Sequence, residues 1–526
     1  MAAAAALLAG YWVFLVPIFQ APDEPPHLDY ALGIYAAGKL INVRDRPLAP
    51  AAFDLVVHPY AVYLEQQTDF SAVLKDHAPI APDYGTCTYY HQLDRNAPVS
   101  AALTVPSANP SLITQYPFGY YALLAAWLRL VAGFTGSLVA LFFAGRLLSV
   151  ALFFTSLMLT FGIAGQLGIR GWRALGLVAL VGFFPMTTFV SAYIQPDNLT
   201  FTLVALATYL ALRQRRSANH LGLLAALGMA LAALLVTKWH IYLCLAPWLV
   251  ATVVLAWRRR SIRSVPQLAA ALGLPSLVLG AIQLWVIWGA TVRSYSPTGY
   301  GRPIFGPFVT ALHGGPLPLI VYIGRELGAS FTNFFVNGQV TSSFWGRFGY
   351  DDTPIQFGPA RLDLLVQLLR AALVIVVLIL FLVSRWRIGV RLLAVARRGR
   401  GAATTRLLMS DPLLNAYLTF TAFMIVLYVA SDNFFAAQGR NWLPFLLPLF
   451  LVPLRYAPRA ARVRGARRLV SRGLAVVLAA YCIGGSFFAV QAVRHRYYGT
   501  AVAARPVVPL TCTPLLPAVA LVAGRR

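Results

Sequence analysis

An all-α polytopic membrane protein is the fold class this sequence predicts, and three observations predict it. The first is composition: 526 residues, 59% hydrophobic, 11% charged, mean hydropathy +0.68. A soluble fold of this length cannot hide so much apolar surface. The second is a series of apolar runs near the ~20 residues that span a bilayer, which must be helical because hydrocarbon offers the backbone no partner. The third is where the charge falls. A net charge of +26 resembles a nucleic-acid signal, but the arginines sit in blocks between hydrophobic runs, as in cytoplasmic loops under the positive-inside rule. Nucleic acid is therefore excluded as a partner.

The arginine blocks set the topology. Arg170 and Arg173, Arg213 to Arg216, Arg258 to Arg263, Arg385 to Arg406, and Arg455 to Arg472 mark the inside. Between them helices are expected at 139–165, 174–194, 197–212, 220–237, 239–257, 267–290, 364–384, 412–430, 441–454 and 472–493. A first span covers residues 1–19; lacking a basic leader and a small-residue cleavage site, it reads as retained. Counting from these anchors, 16 of the 17 acidic residues fall outside and only Asp411 inside. That segregation was not used to set the topology, so it is an independent check on it. Ten of the acids, Asp23 through Asp94, lie in the first long loop.

The apolar stretch 116–134 cannot cross, because the parity of the arginine blocks keeps both its ends outside. Its tyrosines and tryptophan suit an interfacial helix that lies along or dips into the outer surface. About eleven spans result, in one integral-membrane domain over 1–526. The loop 20–138 carries the interfacial helices, the bundle covers 139–290, a second outer loop 291–363, further spans 364–493, and an outer tail 494–526. No internal repeat is evident.

Chemistry concentrates at the expected outer face. Asp23-Glu24-Pro25-Pro26-His27 follows the first span at once, where ionisable groups are costly. The bland alternative is a solvated loop, with Pro25-Pro26 stopping the helix. Gln195-Pro196-Asp197-Asn198 and Thr237-Lys238-Trp239-His240 break apolar runs at the next two outer turns. The segment 343–354 brings Arg347, Asp351 and Asp352, and 432–442 brings Gln438 and Arg440. Asp197 as the N-cap of a helix starting at Asn198, Lys238 snorkelling from a helix end, and Arg347 with Asp351 as a surface ion pair are the competing structural readings. Acids and bases arriving together at one face favour a polar cavity for an anionic ligand. Lys238, Arg347 and Arg440 are the candidates to hold a phosphate, a carboxylate to take a proton from an attacking hydroxyl, and fixed cations to stabilise a departing phosphate. No phosphate-cradling glycine loop is present, which argues against a soluble nucleotide as the energy source.

Several of these segments carry a resemblance that runs through nearly the whole chain. APDEPPH at 21–27, RLLS at 146–149, FPMTTF and QPDN within 184–198, TK at 237–238, GRFGYDDTP at 346–354 and QGRNWLP at 438–444 resemble a bacterial family of predicted membrane proteins of unknown function. That family is placed in the GT-C glycosyltransferase superfamily, alongside protein O-mannosyltransferases and lipid A aminoarabinose transferases. Asn441 departs from the family, whose members commonly show an aromatic after QGR. The resemblance implies a GT-C-like bundle in the bacterial cytoplasmic membrane, working on its extracytoplasmic face. The donor would be a polyprenyl-phosphate sugar and the acceptor a cell-envelope glycan or lipid. Asp23 would be the general base, Glu24 the second acid, and His27 would position the substrate or, with Asp23, bind a metal. Asp197, Asp351 and Gln438 complete the expected substrate site. No cofactor is required by the sequence. Some superfamily members use a divalent cation and others do not. The competing class is a polytopic transporter or lipid-linked glycan flippase, since charges within a bundle also serve translocation.

The four cysteines are too scattered for a metal site. Cys244 and Cys482 read as core thiols, whereas Cys87 and Cys512 both fall on the expected outer side, where disulfides persist.

Overall fold

The computed structural model describes residues 1–16, 18, 21, 24–41, 116–214, 220–243, 265–287, 306–331, 347–348, 353–354, 368, 443 and 481–495. The described fold is helical: α1 (Ala2–Leu15), α2 (Glu24–Ala37), α3 (Gly119–Ala132), α4 (Leu138–Gln166), α5 (Trp172–Gly182), α6 (Pro185–Val190), α7 (Asp197–Gln214), α8 (His220–Leu235), α9 (Val265–Ile287), α10 (Gly306–His313) and α11 (Pro316–Phe331). A further helix covers 481–495. A two-residue antiparallel pair, β1 (Arg347–Phe348) and β2 (Thr353–Pro354), is added to the expected all-α fold.

Among the described residues two helices are long and apolar enough to cross a membrane, Val139–Gln166 and Ala269–Val286. Shorter apolar helices occur at Ala2–Leu15, Gly119–Ala132, Trp172–Gly182 and Leu221–Leu235. The expected span 197–212 is α7 and the end of 472–493 is the 481–495 helix, whereas 412–430 and most of 239–257, 364–384 and 441–454 lie outside the described residues.

The helices form an ordered bundle. α1 runs antiparallel to α4: Ala5 packs beside Leu157 and Phe153, whereas Val13 and Val16 at its other end meet Arg146. α7 runs parallel to α4, since Ile194 abuts Gly145, Thr202 bonds the Leu152 carbonyl and Tyr209 covers Gly162. α8 returns antiparallel to α7, bringing Lys238 to Asp197. α9 runs parallel to α8 and crosses closely at Gly228, where an added Cβ would fall 2.1 Å from the Ala271 carbonyl oxygen. The C-terminal ends of α1 and α8 thus meet the N-terminal ends of α2, α4 and α7 at one end of the bundle.

Three expectations are corrected here. The first helix ends at Leu15 rather than Phe19, where Val16 turns extended. Pro25 and Pro26 do not stop a helix; they occupy the first turn of α2, where a missing N–H costs nothing. The expected helix 174–194 is broken into α5 and α6. Pro185 starts α6 without an N–H to give, and the preceding Phe184 is extended. The carbonyls around the break are met by the 481–495 helix: Cys482 Sγ lies 3.9 Å from the Leu180 oxygen, and Ser486 Oγ donates to the Phe183 oxygen at 3.2 Å. Cys482 is buried there, as expected of a core thiol.

The stretch 116–134 forms α3, joined by a short turn to α4 and folded back along it. Trp127 Nε1 donates to the Ala144 oxygen at 2.8 Å, and Leu124 packs near Gly145. Its first N–H groups, orphaned at any helix start, are taken by neighbours. Phe118 N–H reaches Gln283 Oε1 at 3.0 Å and Gly119 N–H the Val236 oxygen at 2.6 Å. Gly119 is required by that approach, because a Cβ would stand 2.7 Å from the same oxygen. The segment 291–363 holds α10, α11 and the β pair.

Candidate functional site

Arg146 is the only charged residue in the 29-residue α4, and it is completely buried. A guanidinium there must find partners for its donors or unfold its surroundings. Its Nε and Nη2 donate to the two carboxylate oxygens of Glu24 at 2.8 and 2.7 Å, a bidentate fork. Its Nη1 donates to the carbonyls of Val13 and Val16 at 2.7 and 2.5 Å. Those carbonyls belong to the C-terminal end of α1, where helical acceptors lack partners and a cation is favoured by the helix dipole. The Phe142 ring covers the guanidinium at 4.5 Å.

Glu24 is equally enclosed, with no exposed surface, and its Oε1 also accepts the N–H of Ile194 at 3.1 Å. It opens α2, where a negative charge is favoured. One ion pair therefore ties together the end of α1, the start of α2, the interior of α4 and the turn that precedes α7. The same turn is fixed from other sides. Ser149 Oγ and Asn198 Nδ2 both donate to the Tyr193 carbonyl, at 3.0 and 2.9 Å, and Gln195 Nε2 donates to the Val190 carbonyl at 3.1 Å.

A second buried pair lies across α7. Asp197 is the first residue of α7 rather than a cap outside it, and its carboxylate pairs with Lys238 Nζ. Lys238 is 7% exposed, so it does not snorkel into water. Tyr120, fully buried on α3, lies close enough to both Glu24 and Asp197 to feel their charges. His27 is also buried, with Nδ1 2.8 Å from the Tyr121 hydroxyl and its ring stacked on that tyrosine at 5.8 Å.

Twenty-nine residues rise about 43 Å, whereas the hydrocarbon core is about 30 Å thick. α4 is therefore longer than a straight crossing needs, and Arg146 lies in its N-terminal third, beside the bent-back α3.

Of the expected site residues, the structure brings Glu24, His27, Asp197 and Lys238 to this one end of the bundle. Asp23, Asp351, Gln438 and Arg440 lie outside the described residues, as do Cys87, Cys244 and Cys512, and of Arg347 only the backbone is described. Among the described residues no group of three or more His, Cys, Asp or Glu is placed to hold a metal ion. Sequence reasoning gave Arg146 no role. Its signal was present: a lone arginine well inside an apolar helix marks a functional or structural pair by default.

The segments that build this cluster, 21–27, 146–149, 184–198 and 237–238, are distant in sequence. A family model described as a predicted membrane protein, DUF2142, matches residues 7–449 and so takes in all of them. The chain belongs to this family. A membrane location follows from that membership together with the apolar helices. No curated protein and no solved structure matches the chain. For this DUF2142 member the two buried ion pairs are the physical content of those segments. APDEPPH supplies Glu24 and RLLS supplies Arg146 and Ser149. FPMTTF supplies the proline break, QPDN supplies Asp197 and Asn198, and TK supplies Lys238.

Proposed function

We propose that this protein is a GT-C-type membrane glycosyltransferase that moves a sugar from a polyprenyl phosphate to a cell-envelope glycan or lipid on the extracytoplasmic face of the bacterial cytoplasmic membrane. The observation that carries the reading is the pairing of Glu24 with Arg146. It fixes the start of α2 at the same end of the bundle as the Asp197–Lys238 pair, so that acids and bases gather there.

In this reading Asp23 is the general base and Glu24 is not, because both Glu24 oxygens are committed to Arg146. Asp23 takes the proton of an acceptor hydroxyl as that oxygen attacks the anomeric carbon of the donor sugar. The bond from that carbon to the phosphate oxygen breaks, and the electron pair leaves on the polyprenyl phosphate. Lys238, Arg347 and Arg440 stabilise the growing phosphate charge, and Asp197 holds Lys238 in place. Asp351, Gln438 and His27 complete the substrate site. A divalent cation, where used, would neutralise phosphate charge beside Asp23 and His27.

Mass spectrometry of the glycolipids and envelope polymers of a deletion strain tests the reading. A missing sugar substituent supports it and names the product. Accumulated precursor that has not crossed the membrane would replace it with a lipid-linked glycan flippase.

A further inference from the structure

Phe348 has no part in the reaction outlined above, yet it is fully buried. It belongs to a β pair of two residues per strand, too small to hold itself together. What holds it is aromatic packing. The Phe348 ring stacks on Trp12 at 5.5 Å, with 16° between the planes, and meets Phe189 edge to face at 5.0 Å and 84°. Trp12 and Phe189 also touch each other, at 5.7 Å and 81°, so the three rings form a closed triad.

The two partners of Phe348 belong to the elements that clasp the buried ion pair. Trp12 precedes Val13, whose carbonyl accepts from Arg146. Phe189 lies on α6, 5.2 Å from Tyr193, whose neighbour Ile194 gives its N–H to Glu24. The register Arg347↔Pro354 and Phe348↔Thr353 leaves only Gly349, Tyr350, Asp351 and Asp352 between the strands. Leu443, from the QGRNWLP segment, is buried in the same core cluster as all three rings.

We propose that Phe348 is a positioning residue: its ring, wedged between Trp12 and Phe189, fixes the β1–β2 pair, and with it the backbone of Arg347, against the elements that hold the Glu24–Arg146 pair. The anchoring rests on the geometry alone. Its consequence for donor binding rests on the glycosyl-transfer reading.

The test uses full-length protein in lipid nanodiscs, with Phe348→Ala and Phe348→Leu. Hydrogen exchange across 344–356 should accelerate about tenfold in Phe348→Ala, the loss of two aromatic contacts, while peptides from α4 and α7 keep their protection. Phe348→Leu should restore part of it. With a polyprenyl-phosphate sugar as donor, Phe348→Ala should raise KM about tenfold with a smaller change in kcat, and Phe348→Leu should lie between. Unchanged exchange at the β pair would overturn the anchoring. Equal loss of protection in α4 and α7 would reduce Phe348 to core packing. A freed β pair with wild-type KM and kcat would overturn the positioning. Absence of transfer by the wild type would overturn the glycosyl-transfer reading and leave the exchange measurement to decide the anchoring by itself.

Discussion

Replacing Arg146 with Met should be among the most destabilising single changes in the chain, and replacing Glu24 at the same time should recover much of the loss. Met keeps the stem volume but removes the charge and all the donors. Glu24 then remains as a carboxylate with no exposed surface and the Ile194 N–H as its remaining described donor. The Val13 and Val16 carbonyls lose their side-chain donor together. Breaking a buried pair by removing one partner costs about 3–5 kcal/mol, and each buried acceptor left without a bond adds about 1–3 kcal/mol. Glu24→Gln alone should cost less, because the amide oxygen still accepts. In the double variant no unpaired charge remains, so only the lost carbonyl bonds and packing persist. The coupling between the two sites should therefore reach about 2–3 kcal/mol, near the upper end for groups in direct contact. Thermal unfolding of the four proteins in one detergent, followed by fluorescence and by size exclusion, measures it. Additive losses, with the double variant as unstable as the sum of the singles, would refute the claim that the two residues act as one buried unit.

Further outcomes follow from the proposed reaction and the expected topology. Asp23→Asn should lower transfer about 10²–10⁴-fold at wild-type thermal stability, whereas Glu24→Gln should act mainly through stability; a matched activity and stability series separates the two. Lys238→Ala should weaken binding of a polyprenyl-phosphate analogue and also destabilise the fold by taking the ammonium from Asp197, and Asp197→Asn should destabilise it in turn by taking the carboxylate from Lys238. Unchanged affinity in Lys238→Ala, Arg347→Ala and Arg440→Ala would move the phosphate site elsewhere. The expected topology puts Cys87 and Cys512 on one side, as a bridge or as two free thiols; non-reducing peptide mapping of freshly isolated membranes decides between them, and alkylatable thiols at both positions would exclude the bridge.

The helical framework was legible in the sequence because hydrocarbon leaves the backbone few choices. The runs 139–165, 197–212 and 267–290 reappear as α4, α7 and α9 with no end displaced by more than three residues. The helix expected over 174–194 was missed at its centre because hydropathy does not register a missing N–H, and Pro185 was the available signal. Asp197 and Lys238 were singled out from their turns, but their pairing joins residues 41 positions apart. Arg146 was overlooked because a single charge does not disturb the mean hydropathy of a long apolar helix. Phe348 could not have been found, since an aromatic in a loop gives no sign of the ring it will stack upon.

The most direct test of the central claim is transfer by purified protein in nanodiscs, using a polyprenyl-phosphate sugar labelled in the sugar and an envelope acceptor fraction. The account predicts that wild-type protein moves label to the acceptor and releases polyprenyl phosphate in equal amount, and that Asp23→Asn, folded to the same stability, does neither. Normal turnover by Asp23→Asn, or label that crosses the membrane still attached to its lipid, would contradict it.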